Sequence, residues 1–229
     1  MTVELAVAQV GLQANETKTD YMMYNQPKGD LMTLNGGKLK MVDDFQYLGS
    51  RIASTEKDIT MRIGKAWSAL QKLNVIWKSR LKRQLKINLF RATVETVLIY
   101  GATTWTLTKS LTRRLDGVYT RMLRAALDVS WKTHTTNKKL YGNIPPISQT
   151  IKERRLQFSG HCSRAKNEVI SEVILWEPRH GKRGRGRPAR TCIDQLVDDT
   201  GIQKEHLRMA MDDREGWRGV IKNVRPRSS

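Results

Sequence analysis

Residues able to do chemistry are scarce in this sequence, and pairs of acidic residues are the first candidates. Adjacent carboxylates can hold the metal ions that catalyse phosphoryl transfer, and such pairs occur at Asp43-Asp44, Asp198-Asp199 and Asp212-Asp213. At Asp43-Asp44 we expect a solvated hairpin turn rather than a metal site. The other two pairs are typical of helix surfaces and caps. No catalytic residue is therefore predicted.

Histidine and cysteine suggest a second chemistry, zinc binding, through His161-Cys162, His180 and Cys192. Zinc sites usually place their ligands in pairs at short spacing, and adjacent His and Cys side chains chelate one ion poorly. We therefore predict no metal site and expect a partly buried thiol and a hydrogen-bonded histidine instead. Two cysteines cannot form a disulfide framework, so a reducing nuclear or cytoplasmic location is expected.

Positive charge is the strongest chemical signal. The 229 residues include 41 Lys+Arg and 22 Asp+Glu, for a formal net charge of +19. Residues 1–50 carry four basic and six acidic side chains, whereas residues 51–125 carry sixteen and four. A polyanion is therefore the expected partner. No apolar run approaches the length of a membrane-spanning helix, so no membrane contact is expected.

A second basic block, residues 179–190, has six basic residues in twelve together with three glycines and one proline. Glycine and proline at this density predict a flexible loop rather than a helix. The loop is expected either to contact phosphates or to act as a nuclear localisation signal, and these two roles are compatible. Its candidate phosphate ligands are Arg183, Arg185 and Arg187.

The hydrophobic pattern predicts a small β-element that is followed by helices, and most of the basic residues fall on the helical part. Asn35-Gly36-Gly37 lies between two apolar runs and predicts an antiparallel hairpin. From Thr55 onward the apolar residues recur at helical spacing, and Ser54 or Thr55 can cap the first helix. We predict a mainly α fold with a small N-terminal antiparallel β-element (α+β), with helices over residues 55–77, 85–100, 111–127, 147–163, 194–200 and within 206–224.

Each long helix has an apolar side and a basic side. In the second helix, Leu85, Val94 and Leu98 are predicted to face the core. The outer faces of the first and third helices carry few balancing acids, which favours contact with nucleic acid over a merely solvated surface. The residues expected to contact phosphates there are Arg62, Lys65, Lys72, Lys78, Arg113 and Arg121.

Short motifs occur in a fixed order along nearly the whole chain. The first has Gly11, Asn15, Lys18 and Thr19 in the pattern GL-x-x-N-x-x-KT. The second is the run FQYLGS at residues 45–50. Later motifs are Arg62-Ile63, Ala66, Tyr100-Gly101, Trp105, Arg154-Arg155-Leu156, Gly160-His161, Arg164, Gly186-Arg187-Pro188, Asp213-Arg214 and Trp217-Arg218.

In this order the motifs resemble the C-terminal part of a non-LTR (LINE-type) retrotransposon reverse transcriptase. The resemblance implies a palm remnant at Gly11, Asn15, Lys18 and Thr19, and it implies a primer grip at residues 45–50. Thr103 departs from the family pattern, which usually has Glu, and Thr191-Cys192 stands where Thr-Trp is common. The implied domains are residues 1–54 (end of palm), 55–140 (helical thumb-like bundle) and 141–229 (basic C-terminal extension).

The implied primer grip consists of Phe45, Tyr47, Leu48 and Gly49. On composition alone, the same aromatic strand would pack the β-element on the first helix. In the family, the aspartates that hold catalytic Mg²⁺ precede the segment matched at Gly11, so no cofactor is assigned to this chain. We therefore expect a fragment of an RNA-directed DNA polymerase that binds template–primer but does not extend a primer alone.

Two other interpretations of the sequence stay open. One is a stand-alone, domesticated nucleic-acid-binding helical protein. The other is a module whose basic surface meets an acidic protein. If the chain is instead a polymerase fragment, as the resemblance implies, its expected partners are RNA, an RNA–DNA hybrid or a DNA duplex, together with the missing upstream polymerase domains.

Overall fold

A computed structural model describes residues 11, 15–23, 29–32, 36–52, 54–176 and 191–224. The chain forms two compact units, Met1–Asp58 and Ile59–Ser229. Residue 140, a boundary suggested by the sequence, lies inside the second unit, and the three-domain division stays a prediction. The basic loop with Arg183, Arg185 and Arg187 lies outside the described residues.

The first unit contains two small sheets of two-residue strands. β1 (Asp20–Tyr21) pairs in parallel with β2 (Lys40–Met41), and β3 (Gln46–Tyr47) pairs antiparallel with β4 (Ser50–Arg51). Met32 and Lys38 form an antiparallel bridge on the two sides of the predicted glycine turn, and Asn35 of that turn lies outside the described residues. The β-element is therefore only partly antiparallel, because the strand after that turn hydrogen-bonds alongside β1.

The helices begin where the period of the apolar residues changes. The Ser54 hydroxyl accepts a hydrogen bond from the backbone N–H of Lys57 at 3.4 Å, as a cap does. The first half of the helical region consists of α1 (Thr55–Lys72), α2 (Asn74–Trp77), α3 (Arg83–Phe90), a π turn (Arg91–Glu95), α4 (Thr96–Leu98) and α5 (Lys109–Ala126).

Within the residues described above, the second half of the helical region contains one long helix and five shorter ones. The elements are α6 (Asn137–Tyr141), α7 (Ile147–Ser163), α8 (Glu168–Val173), α9 (Cys192–Thr200), α10 (Lys204–Asp212) and α11 (Arg214–Val224). Thr191 and Asp194 form a reciprocal capping box at the start of α9. The predicted fold class, mainly α with a small β-element, is confirmed.

Two hydrophobic clusters form the interior of the second unit, and α7 contributes to both. Ile147 and Ile151 belong to the larger cluster, which α1 to α6 complete. Leu156, one turn further on, belongs to the smaller cluster with residues of α9, α10 and α11. Burial of both ends of one helix makes the two halves of the unit depend on each other for stability.

The structure corrects one core assignment. Leu85 is exposed, whereas Phe90 is fully buried and packs against the Tyr119 ring with centroids 5.5 Å apart. The buried residues Ile87, Phe90, Val94 and Leu98 recur at spacings of three and four, and Leu85, two positions before Ile87, lies off that face. Val94 and Leu98 are buried as predicted.

Candidate nucleic-acid interface

The segment FQYLGS forms the hairpin of β3 and β4. Tyr47 pairs with Ser50, and the connecting residues Leu48 and Gly49 have φ angles of 46° and 84°. Two consecutive positive φ angles are typical of the tight turns that match strand twist. The Tyr47 side chain is 60% exposed, so it does not pack as a core aromatic. The hairpin therefore displays Tyr47 and Leu48 at its tip.

Residues 15–19 of the GL-x-x-N-x-x-KT segment form a capped turn. The Asn15 side chain accepts hydrogen bonds from the backbone N–H of Lys18 at 3.2 Å and from the Thr17 hydroxyl at 2.8 Å. The Thr19 hydroxyl donates to the Asn15 carbonyl oxygen at 2.7 Å, and Gly11 has a φ angle of 74°. Asn15 and Thr19 thus have a local structural role, while Lys18 is exposed.

Three of the basic residues predicted on the first helix are exposed. Lys65 and Lys72 lie on α1, and Lys78 follows α2 directly. In the described part of the chain, none of these three side chains forms an ion pair with a carboxylate. Their charges are therefore not neutralised by the protein within that part.

Arg62 corrects the prediction of a uniformly basic outer face. It is only 5% exposed, and its guanidinium carbon lies 4.2 Å from the centroid of the Tyr100 ring. A guanidinium stacks favourably on an aromatic face, which allows burial of the charge. The two motif positions, far apart in sequence, thus form a structural contact, and Arg62 is not on the exposed surface.

The basic residues of α5 divide into two groups. Arg113 and Arg121 are exposed and form no ion pair within the described residues. Arg114 instead donates to the Thr60 hydroxyl at 3.1 Å, which links α5 to α1. Arg124 donates to the Thr135 carbonyl oxygen at 2.6 Å and holds the segment before α6. The first group is available for an external anion, and so is the exposed Lys109 at the start of the same helix.

The motifs of the C-terminal part converge on one buried contact. Trp217 is 1% exposed, and its indole N–H donates to the Leu156 carbonyl oxygen at 2.7 Å. A methyl group at Gly160 would lie 2.5 Å from Cδ1 and Nε1 of the same indole. Only glycine therefore allows α7 to approach Trp217 so closely. The spacing in sequence gives no sign of this contact.

Arg155 connects the two halves of the second unit. It is 4% exposed and donates two hydrogen bonds to Oδ2 of Asp199, at 2.9 Å from Nε and 2.6 Å from Nη2. A third hydrogen bond runs from its Nη1 to the Trp105 carbonyl oxygen at 3.2 Å. A buried guanidinium with this set of acceptors stabilises the fold and is not available on the surface to bind a phosphate.

The acidic pairs also have structural partners. Asp44 lies beside the Arg51 guanidinium, and Oδ1 of Asp213 accepts hydrogen bonds from the N–H groups of Glu215 and Gly216, both at 3.1 Å. Asp213 thereby caps α11, as predicted from sequence. Among the described residues, no group of three His, Cys, Asp or Glu side chains is placed to hold a metal ion.

The two cysteines are both free thiols. Cys162 is buried and Cys192 is exposed. Burial raises the pKa of the Cys162 thiol, so this side chain stays protonated at neutral pH.

Comparison with known proteins gives one informative match. The chain is 26% identical over 236 aligned residues to a Caenorhabditis elegans protein described as an uncharacterized transposon-derived protein. The alignment covers 94% of this chain and 84% of that protein. This similarity supports a transposon origin for the chain. No protein-family model matches, and no solved structure matches. Across the described residues, no helix is both long and apolar enough to span a bilayer.

Proposed function

We propose that this chain is the end of the palm and the thumb-like part of a non-LTR retrotransposon reverse transcriptase, and that it binds template–primer nucleic acid. The observation that carries the proposal is the set of exposed cations on α1, α2 and α5 that have no ion pair within the described residues. The set consists of Lys65, Lys72, Lys78, Lys109, Arg113 and Arg121. The proposal places the protein inside the cell, in the nucleus or cytoplasm.

These cations suit the phosphate backbone better than the base edges. Lys and Arg on a convex helical face neutralise phosphates and release counterions, which gives affinity without sequence specificity. Each phosphate contact on a duplex adds about 0.9 to the slope of log K against log salt. At about 0.15 M salt, one such contact is worth roughly 5-fold in affinity.

The test is a series of binding measurements on blunt RNA, RNA–DNA and DNA duplexes over a range of salt concentrations. The triple variant Lys65→Gln/Lys72→Gln/Lys78→Gln removes three exposed cations from α1 and α2 and should preserve the fold. We expect it to lower the salt slope by about 2 to 3 and the affinity by roughly 100-fold on duplex. Lys38→Gln is the control, because it removes a lysine charge that lies outside α1, α2 and α5. Equal effects of the triple variant and the control would refute the proposal.

The β3–β4 hairpin is proposed to contact the primer end. The exposed Tyr47 supports this role, because a core aromatic would be buried. Tyr47→Ala should weaken binding to a duplex with a recessed 3′ end while leaving binding to a blunt duplex unchanged. Equal weakening of both would contradict a role at the primer end.

A stand-alone nucleic-acid-binding protein is the second candidate. The observation in its favour is that the second unit has two hydrophobic clusters of its own. It predicts a monomer that unfolds cooperatively and binds duplex tightly without other domains. Sedimentation and thermal unfolding of the full chain distinguish it from a fragment that folds only within a larger enzyme.

A further inference from the structure

A groove between α7 and α11 is lined by a second set of cations that the sequence resemblance does not assign to any ligand. Its volume is about 470 Å³, and its walls combine basic groups with the edge of the buried Trp217. The basic residues around it are Arg164, Arg214, Arg218 and Lys222. The spacing of four residues puts the last three on one side of α11, about 6 Å apart along its axis.

Among the described residues, Arg214 and Lys222 form no ion pair with a carboxylate. Asp213 is occupied by the backbone N–H groups of α11, and Asp212 accepts a hydrogen bond from the Ser163 hydroxyl. Glu215 pairs with Arg218 at 2.7 Å, but both side chains are more than half exposed. An exposed pair of this kind is weak and exchanges readily for a stronger anion. Arg164 donates to the Met211 carbonyl oxygen, which fixes its position at the end of the groove.

The size and shape of the groove select the kind of anion. A concave site of a few hundred cubic ångströms has the volume of a small ligand, whereas a double helix could only lie across its mouth. A guanidinium group forms two parallel hydrogen bonds to phosphate oxygens. A row of such groups can contact successive phosphates of one nucleic-acid strand. A positively charged groove is the usual means of holding a single strand.

We propose that the α7–α11 groove binds the sugar–phosphate backbone of a single strand, over one or two nucleotides. This inference extends the proposed function, since it adds a site for an unpaired strand to the duplex-binding surface. Arg214, Arg218 and Lys222 contact successive phosphates, and Arg164 holds the end of the groove. The apolar edge of Trp217 lies beneath the sugar.

The test is an NMR titration of the full chain with a short oligothymidylate, followed through the indole N–H of Trp217. We expect a saturable shift of this signal. Arg214→Gln/Arg218→Gln should weaken the binding by about 15-fold at roughly 0.15 M salt, because each contact to a single strand is worth about 4-fold. Glu215→Gln should strengthen it, because it releases Arg218 from its exposed partner.

Control variants separate this site from the duplex-binding surface. Lys65→Gln/Lys72→Gln removes the same charge elsewhere and should leave the Trp217 titration unchanged. The groove variant should keep most of its affinity for a blunt duplex. If the parent chain does not bind duplex, the proposed function is refuted, but the groove site is not. An absent Trp217 shift, equal weakening by both double variants, or an equally strong shift with inorganic phosphate would overturn the groove site.

Discussion

Gly160 provides the sharpest test of how the second unit is held together. In the middle of a helix, replacement of glycine by alanine normally stabilises a protein by about 1 kcal/mol. At Gly160 the new methyl group would lie 2.5 Å from the Trp217 indole, well inside contact distance. The indole is buried and hydrogen-bonded to Leu156, so it cannot move without losing that bond. We therefore expect Gly160→Ala to destabilise the chain.

The size of the effect follows from three contributions. Overpacking costs about 1–3 kcal/mol. An indole N–H that loses its buried acceptor costs about 1–3 kcal/mol more. After the helical gain is set against these costs, the free energy of unfolding should fall by about 1–5 kcal/mol. A loss near the middle of that range corresponds to a decrease in Tm of about 6–12 °C for a unit of this size.

The assay is urea denaturation followed by far-ultraviolet circular dichroism, with calorimetry for Tm. Gly64→Ala in α1 and Gly117→Ala in α5 are matched controls, because a methyl group at either position would have no atom within 4 Å. Both controls should be more stable than the parent chain by about 0.5–1 kcal/mol. If Gly160→Ala behaves like them, the close approach of α7 to Trp217 is not present in solution.

Three further outcomes follow from other contacts. Asp199→Ala should lower the free energy of unfolding by about 3–5 kcal/mol, because it leaves the buried Arg155 charge uncompensated; adding Arg155→Met should recover part of this loss in the same denaturation assay. Burial and the neighbouring Glu95 raise the pKa of Tyr119. Its contribution to stability is therefore present below the unfolded-state pKa of about 10 and is lost as pH rises above it, by up to about 1.4 kcal/mol per pH unit. Tyr119→Phe should flatten that decline in pH-dependent unfolding, and an unchanged slope would contradict the assignment. Leu48→Asn should stabilise the β3–β4 hairpin by up to about 1 kcal/mol, because asparagine tolerates positive φ better; slower amide exchange at Tyr47 would show it.

The periodicity of apolar residues predicted most of the helices, because burial on one side of a helix leaves a direct trace in sequence. The helix predicted over residues 147–163 matches α7 from Ile147 to Ser163. The π turn at Arg91–Glu95 left no such trace, since it changes the hydrogen-bond register without changing the kind of residue buried. Leu85 was wrongly assigned to the core for another reason: it lies two positions before Ile87 and therefore off the buried face of its helix.

The candidate site was predicted less completely than the fold. Net charge located Lys65, Lys72 and Lys78 on an exposed surface, but charge alone cannot distinguish a free cation from one stacked on a ring. Arg62 was therefore assigned to the wrong environment. The groove beside α11 was missed because its walls come from helices separated by fifty residues of sequence. The i, i+4 recurrence of Arg214, Arg218 and Lys222 is a signal that was present in the sequence.

The position of α7 across both hydrophobic clusters has a genetic consequence. A copy of this sequence that acquired a stop codon just before Arg214 would lose Trp217 and Ile221, which are part of the smaller cluster. The C-terminal half of α7 would then expose Leu156 to water. Such a product should be degraded by cellular proteases although its basic α1 and α5 are intact. An open reading frame through α11 is therefore a condition for the earlier helices to persist.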